Sequence, residues 1–303
     1  MSRPVRWVVG ANDGTTVAAI VARAAPGDLA AADEGRAFVG KRRASGADVV
    51  APGDVLTIHA PRDADGAVTI LAHRGGIVAA DKPAALPTIA DHHGTTDTLI
   101  ARVALAVGLP EASLHATSRL DVGVSGVVLF AADRGAREHL AAAREEGRYA
   151  RRYLAIAAKT PAATEGVWDV PIGRARDPRL RAANGRDATS ARSRFRVVAT
   201  ARGDACLLAL APETGRTHQL RVHASHAGAP LLGDAAYGGP RRVVTATGAV
   251  RALERIALHA RAVTVPDLDG TLFTVESPVP VELTRLWESL DGPAGSWDAA
   301  TWP

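Results

Sequence analysis

The 303-residue chain has a single cysteine, Cys206, in the apolar run "CLLAL". Neither an intrachain disulfide nor a cysteine-based zinc cage can form around one thiol, and core filling is its expected role. Long apolar runs are also missing. None approaches the ~20 residues that a membrane-crossing helix needs. The opening "MSRPVRWVVGANDG" has no apolar signal core, so a cytoplasmic location is expected. No internal repeat is present. With 47% hydrophobic residues the chain can nevertheless bury a full core, as one large domain or as a small domain before a larger one.

The net charge is only +4, but it is unevenly placed. Residues 1–70 contain eight Lys/Arg and eight Asp/Glu, whereas residues 148–196 contain twelve Lys/Arg and four Asp/Glu. A segment that carries more than the whole chain's excess is either a footprint for a polyanion or a solvated, arginine-rich surface.

Turn residues divide the chain. The first segment reads as helical over 15–24 and again near 29–34, and "PGD" at 52–54 leads into a short strand. The polar stretch "PRDADG" at 61–66 marks a domain boundary, giving domains 1–66 and 67–303. Beyond it, strands are expected at 77–80, 127–131, 153–157, 195–199, 206–210, 262–265 and 272–276. Three helices are expected, at 97–107, at 134–146 capped by Asp133, and at 218–227 capped by Thr217. So few helices among so many strands exclude a regular βαβ repeat, and a mixed, mostly antiparallel α+β fold is expected.

Two stretches carry the chemistry. In "TSRLDVGVSGVVLF" (117–130), Asp121 stands on a glycine-bearing loop that leads into an apolar strand. Such a loop can present a carboxylate to a cleft, or the carboxylate can simply close an Asx-turn. In "ETGRTHQLRVHASHAGAPLLGDAAYGG" (213–239), Leu220, Ala224 and Ala227 share one helical face, with His218 and Arg221 on other sides. Guanidinium groups near a helix start suit a bidentate grip on phosphate or carboxylate; the plain alternative is a surface helix with exposed arginines.

Together these stretches resemble the two signature blocks of the RluA family of RNA pseudouridine synthases. "VAADKPAALPT" (78–88), "RRYLAIA" (151–157), "PIGRARDPRLRAANGRDATSARSRFRVV" and "IALHARAVTVPDLDGTLFTVESPVP" are similar to further family blocks and follow in the same order. The resemblance implies a pseudouridine synthase fold with Asp121 as catalytic aspartate, Tyr153 as active-site tyrosine and Arg221 as the arginine that pairs with the aspartate, expected as a two-point contact. It places Arg119 against the RNA where a uridine leaves the stack. Arg148, Arg151, Arg152, Arg174, Arg176, Arg216 and His218 are expected to contact RNA. No cofactor or metal is implied, and the partner is structured RNA, either rRNA or tRNA, bound by a monomer without an obligatory protein partner. Ser118 and Val124 depart from the family, which usually has histidine and threonine there. The first domain resembles an S4-type RNA-binding domain, although its zero net charge is unlike a strong RNA binder.

Two other functions fit parts of the sequence. An inactive RNA-binding or ribosome-assembly factor would share the fold, but the presence of Asp121, Tyr153 and Arg221 argues for chemistry. "DHHG" at 91–94 resembles the signature of metal-dependent phosphoesterases, yet the further strand-end aspartates those enzymes need are missing, and His223 and His226 have no acidic partners in sequence.

Overall fold

The computed structural model describes residues 5–26, 29–33, 35, 37–40, 42–58, 67–90 and 97–303; the "DHHG" tetrapeptide lies outside the described residues. The chain divides into two compact units, Met1–Gly66 and Ala67–Pro303. No described helix is long and apolar enough to cross a membrane.

In the first unit, four antiparallel strands lie in the order Val5–Val8, Val55–Ile58, Ala37–Val39, Arg42–Arg43. The helix Val17–Ala24 begins where the Thr16 side chain accepts a hydrogen bond from the Ala19 amide. Its buried Val17, Ile20 and Val21 stand three and four residues apart, the spacing of an apolar stripe, and join Leu56 and Ile58 in one core. The second helix expected here is only a 3-10 turn, Leu29–Ala31.

The second unit is built on a ten-stranded sheet. Its main path runs Glu165–Trp168, Ser193–Thr200, Cys206–Pro212, Ala150–Ala157, Leu258–Pro266, Ser125–Ala131, Ile77–Lys82 and Thr69–Arg74. Leu272–Glu276 and His115–Ala116 pair at the side of this path. Only the contact between Leu258–Pro266 and Ser125–Ala131 is parallel, so the sheet is mixed and mostly antiparallel, as expected. Every residue of Ser125–Ala131 is buried, which explains its unbroken apolar run. The helix Arg134–Glu145 begins at Asp133, whose carboxylate accepts from the Ala136 amide, and Gly147 follows at φ +72°.

Some elements were not legible. A helix at Val281–Ser289 buries Leu283, Leu286 and Trp287 beside Ile156 and Leu207; it begins directly after Pro280, a residue equally at home in a turn. A separate three-stranded sheet, Arg181–Ala183, Ile172–Arg174 and Arg186–Thr189, carries too many exposed polar residues to show a period of two.

The parallel contact also explains Gly126. It adopts φ +114°, and a Cβ added there would lie 2.2 Å from the Ala260 carbonyl oxygen. Gly126→Ala therefore combines backbone strain with overpacking and is expected to cost about 3 kcal/mol or more, lowering Tm by roughly 6–12 °C. A thermal melt checks this; an unchanged Tm would show that the two strands can part without cost.

Candidate active site

The loop that carries Asp121 is pinned from several sides. The Leu120 amide donates to the Thr88 hydroxyl at 3.2 Å, and that hydroxyl donates to the Leu120 carbonyl at 3.1 Å. The Ala85 amide donates to the Val122 carbonyl at 2.7 Å, and the Val124 amide closes the turn on the Asp121 carbonyl at 2.9 Å. Beneath the loop, the fully buried Lys82 ammonium donates to the carbonyls of Leu86 at 2.6 Å and Pro83 at 2.9 Å. Burial, reinforced by the Arg255 guanidinium and opposed by Asp121, brings the pKa of Lys82 down to about 7. Val124, one of the two departures from the family pattern, is buried in the core with Leu120.

The second element is the helix Gln219–His226. Thr217 is not its cap. His218 holds that position at φ +59° without a side-chain cap bond, and the Gln219 side chain organises the entry instead. Its Oε1 accepts from the Arg216 amide at 2.9 Å and the Thr214 hydroxyl at 2.7 Å, while its Nε2 donates to the Arg192 carbonyl and the Ser193 hydroxyl, each at 2.9 Å. Nor is this a surface helix. Residues 219–224 are all buried, and Leu220 and Ala224 share a core with Leu120, Val124 and Tyr153.

Arg221 is the centre of the constellation. Its Nη1 donates to Asp121 Oδ2 at 2.6 Å. The two-point contact expected with Asp121 is made elsewhere: Nε and Nη2 both donate to Asp234, each at 2.8 Å. The reason is direction, since Asp234 lies fully buried against one edge of the fork and leaves a single N–H for the loop. The Tyr237 ring lies 4.7 Å from the guanidinium carbon. Burial works against the charge on Arg221, but the hydrogen bonds and charges of Asp234 and Asp121 outweigh it and raise its pKa.

The other oxygen of Asp121 is open. His218 Nε2 stands 3.7 Å from Oδ1, too far for a hydrogen bond. The Tyr237 hydroxyl accepts the Arg181 amide at 2.9 Å, which leaves its own proton for His218 Nδ1 at 2.6 Å. That network assigns the imidazole proton to Nε2, facing Asp121. Burial keeps the pKa of His218 below its ordinary value despite the pull of Asp121. The Asp121 side chain keeps 29% of its exposure, against 8% for Arg221 and 1% for Asp234.

Tyr153 comes from the strand Ala150–Ala157 and is buried in the same core as Leu120 and Leu220. Among the described residues its hydroxyl has no hydrogen-bond partner, and burial raises its pKa, so it remains a phenol.

The residues expected on RNA are scattered. Arg119 is exposed at the mouth of the loop. Arg174, Arg176 and Arg216 are exposed near the small sheet. Arg148 pairs with Glu146. Arg151 donates to the Thr214 carbonyl at 2.8 Å and so ties a strand to the loop before the helix. Arg152 points away from Tyr153, because successive side chains of a strand alternate: Tyr153, Ala155 and Ala157 enter one core, Ile156 enters another, and Arg152 lies against Trp302. The basic segment therefore does not line up beside Tyr153 as a whole.

Comparisons with known proteins identify the family. The family model described as RNA pseudouridylate synthase matches residues 76–226. Ribosomal large subunit pseudouridine synthase D of Xanthomonas campestris is 32% identical over 253 residues, covering 78% of this chain and 73% of the relative. The chain belongs to the RNA pseudouridine synthase family. A Bacillus subtilis relative called uncharacterized RNA pseudouridine synthase YjbO is 34% identical over 199 residues, 65% of this chain and 62% of the relative. The structure of human RNA pseudouridylate synthase domain containing 4 superposes with a TM-score of 0.58 at 26% identity, covering 73% of this chain and 92% of that one.

Asp121, Tyr153 and Arg221 come from three distant parts of the chain: Asp121 and Arg221 share a hydrogen bond, and Tyr153 is buried with their neighbours Leu120 and Leu220. Asp234, Tyr237 and Lys82 were missed. All three stood inside quoted stretches, "GDAAYGG" and "VAADKPAALPT", but nothing in the order of residues announces that Asp234 folds back onto Arg221. His223 is no metal ligand: its ring nitrogens meet the Ser193 hydroxyl and the Val170 carbonyl, each at 3.0 Å. Among the described residues no group of three or more His, Cys, Asp or Glu is placed to hold a metal ion.

Proposed function

We propose that this protein isomerises uridine to pseudouridine in structured RNA, rRNA or tRNA, with Asp121 as the nucleophile. The observation that carries the proposal is the unequal state of the two Asp121 oxygens: Oδ2 is fixed by Arg221 at 2.6 Å while Oδ1 is left open. A carboxylate aimed at one end, and free at the other, suits covalent or general-base work on a substrate brought to it.

The chemistry balances without a second substrate. The N1–C1′ bond of uridine breaks, the base turns, and a C5–C1′ bond forms; C5 loses a proton and N1 gains one. Asp121 assists either by adding to the base or sugar or by helping the base and a sugar proton to leave. A uridine inside a helix is out of reach, so it must flip out at a cost of a few kcal/mol, and Arg119, exposed at the loop mouth, fills the gap. Tyr153 stacks on the flipped base and relays a proton through its unpaired phenol. The first unit, with its helix and four-stranded sheet, acts as an accessory RNA-binding module of S4 type. Mapping pseudouridine across total RNA with and without the gene tests the whole proposal: one or a few sites are expected to vanish, and an unchanged map would overturn it.

Tyr153→Phe separates the two roles of the ring. It keeps the stacking surface and removes the proton, so kcat is expected to fall by about 100-fold, a typical loss for general acid–base catalysis, with little change in KM. Steady-state kinetics in which only KM rises would assign Tyr153 to substrate grip alone.

A further inference from the structure

Five of the eleven arginines in the basic segment are closely paired with carboxylates. Arg179 pairs with Asp177, Arg192 and Arg194 share Glu213, Arg196 pairs with Glu165, and Arg148 pairs with Glu146. Among the described residues Arg151, Arg152, Arg174, Arg176 and Arg181 have no carboxylate partner, and neither has Arg216 beyond the segment; Arg151 is spent on the Thr214 carbonyl and Arg152 lies against Trp302. Arg181 donates through Nη1 to the carbonyls of Pro178 and Leu180, and Arg216 donates through Nε to the Ser190 carbonyl. These bonds anchor the two guanidiniums and leave other N–H groups unused.

Arg174, Arg181 and Arg216 line one cleft of about 200 Å³, together with Thr189, Thr217 and Asp187. Asp187 is the one carboxylate in the lining, and it faces Arg186 across 3.7 Å. Three guanidiniums against one carboxylate leave the cleft with a positive surplus. Planar N–H forks and threonine hydroxyls are the donors that fit a phosphate.

The cleft is also tied to the catalytic carboxylate. Thr217 precedes His218, whose Nε2 stands 3.7 Å from Asp121. The Arg181 amide donates to the Tyr237 hydroxyl, which in turn holds His218. The two strands of the small sheet approach closely at this point, because a Cβ on Gly173 would lie 2.5 Å from the Arg186 carbonyl oxygen.

We propose that this cleft seats a single phosphodiester of the RNA backbone, next to the nucleotide that flips toward Asp121. The inference rests on the isomerase function proposed above and specifies where its substrate is gripped. Arg174, exposed, supplies the adjustable contact, and the anchored Arg181 and Arg216 supply the fixed ones.

The test uses the full chain and RNA from a strain lacking the gene, grown on 5-tritiated uridine, so that forming the C5–C1′ bond releases tritium. Arg174→Gln, Arg216→Gln and the double variant are compared with Arg194→Gln, whose side chain is paired with Glu213. The double variant is expected to raise the half-saturating RNA concentration about tenfold, with a smaller change in kcat. Because one phosphate is lost, the log–log salt slope of RNA affinity should fall by roughly 0.7 to 0.9 in the double variant, not by twice that. Arg194→Gln should leave both quantities unchanged. Inorganic pyrophosphate, as a free phosphate source, should compete with RNA on the parent and much less on the double variant. An unchanged slope, an equal loss in Arg194→Gln, or pyrophosphate inhibition without any effect on RNA affinity would each overturn the proposal. If the parent protein releases no tritium, the isomerase function fails instead, and filter binding of the same RNA still reads the cleft by its slope.

Discussion

Asp121→Asn is expected to lower isomerisation by on the order of 10³-fold or more, a loss typical of removing a nucleophile, while RNA affinity and thermal stability stay close to those of the parent. The first half follows from the open Oδ1, which the amide cannot replace as an attacking or proton-accepting atom. The second half follows from Asp234. Removing the charge of Asp121 would ordinarily strand a buried guanidinium, at a cost of several kcal/mol. Here Arg221 keeps its two-point contact with Asp234 and its place beside the Tyr237 ring. Asp121 is itself 29% exposed, so the substitution creates no buried, unsatisfied group. Asp121→Ala should lose as much rate, and because it leaves the buried Arg221 Nη1 without its acceptor it should also cost about 1–3 kcal/mol in stability. The measurements are tritium release, RNA binding and a thermal melt on each variant; turnover by either at a tenth of the parent rate would remove Asp121 from the role of nucleophile.

The parts of this molecule that could be read from sequence are those whose cause is local. The buried strands Ser125–Ala131 and Cys206–Pro212 appear as apolar runs bounded by turns, and Asp133 and Gly147 bracket a helix through bonds to residues close by in the chain. Asp234 is different. It acts on Arg221, thirteen residues earlier, only because the chain after the helix turns back through Gly233, where a Cβ would lie 1.9 Å from the Arg255 carbonyl oxygen. The charge of residues 148–196 misled for a similar reason. Glu146 and Glu213 stand outside that window in sequence, yet they neutralise Arg148, Arg192 and Arg194 in space. Counting within a window finds the arginines and misses their partners, so the surplus of the segment is smaller in space than in sequence.

Arg221→Lys and Asp234→Asn should fail together, although Asp234 is fully buried behind the arginine. Arg221 divides its fork, with Nε and Nη2 on Asp234 and Nη1 on Asp121. A lysine brings one point of charge and cannot span both carboxylates. It would settle on the fully buried Asp234, where desolvation makes an unpaired charge most costly, and abandon the half-exposed Asp121. Asp234→Asn removes the opposite end. The guanidinium then keeps its charge in a buried site with a single carboxylate partner, and the expected cost is about 3–5 kcal/mol, or roughly 6–20 °C in Tm. Arg221 would then turn toward its remaining charge, and the aim of Asp121 would change with it. Both variants are expected to lose about 100-fold or more in kcat, the scale of loss for misplacing a reacting group by 1 Å, and much less in KM. The double variant should be little slower than the worse single one, because each substitution already breaks the same unit. Stability and rate are measured on the same preparations, at a temperature where every variant is folded. Parental kcat in Asp234→Asn would show that Arg221 keeps its aim without the buried carboxylate, and that Asp234 serves the fold alone.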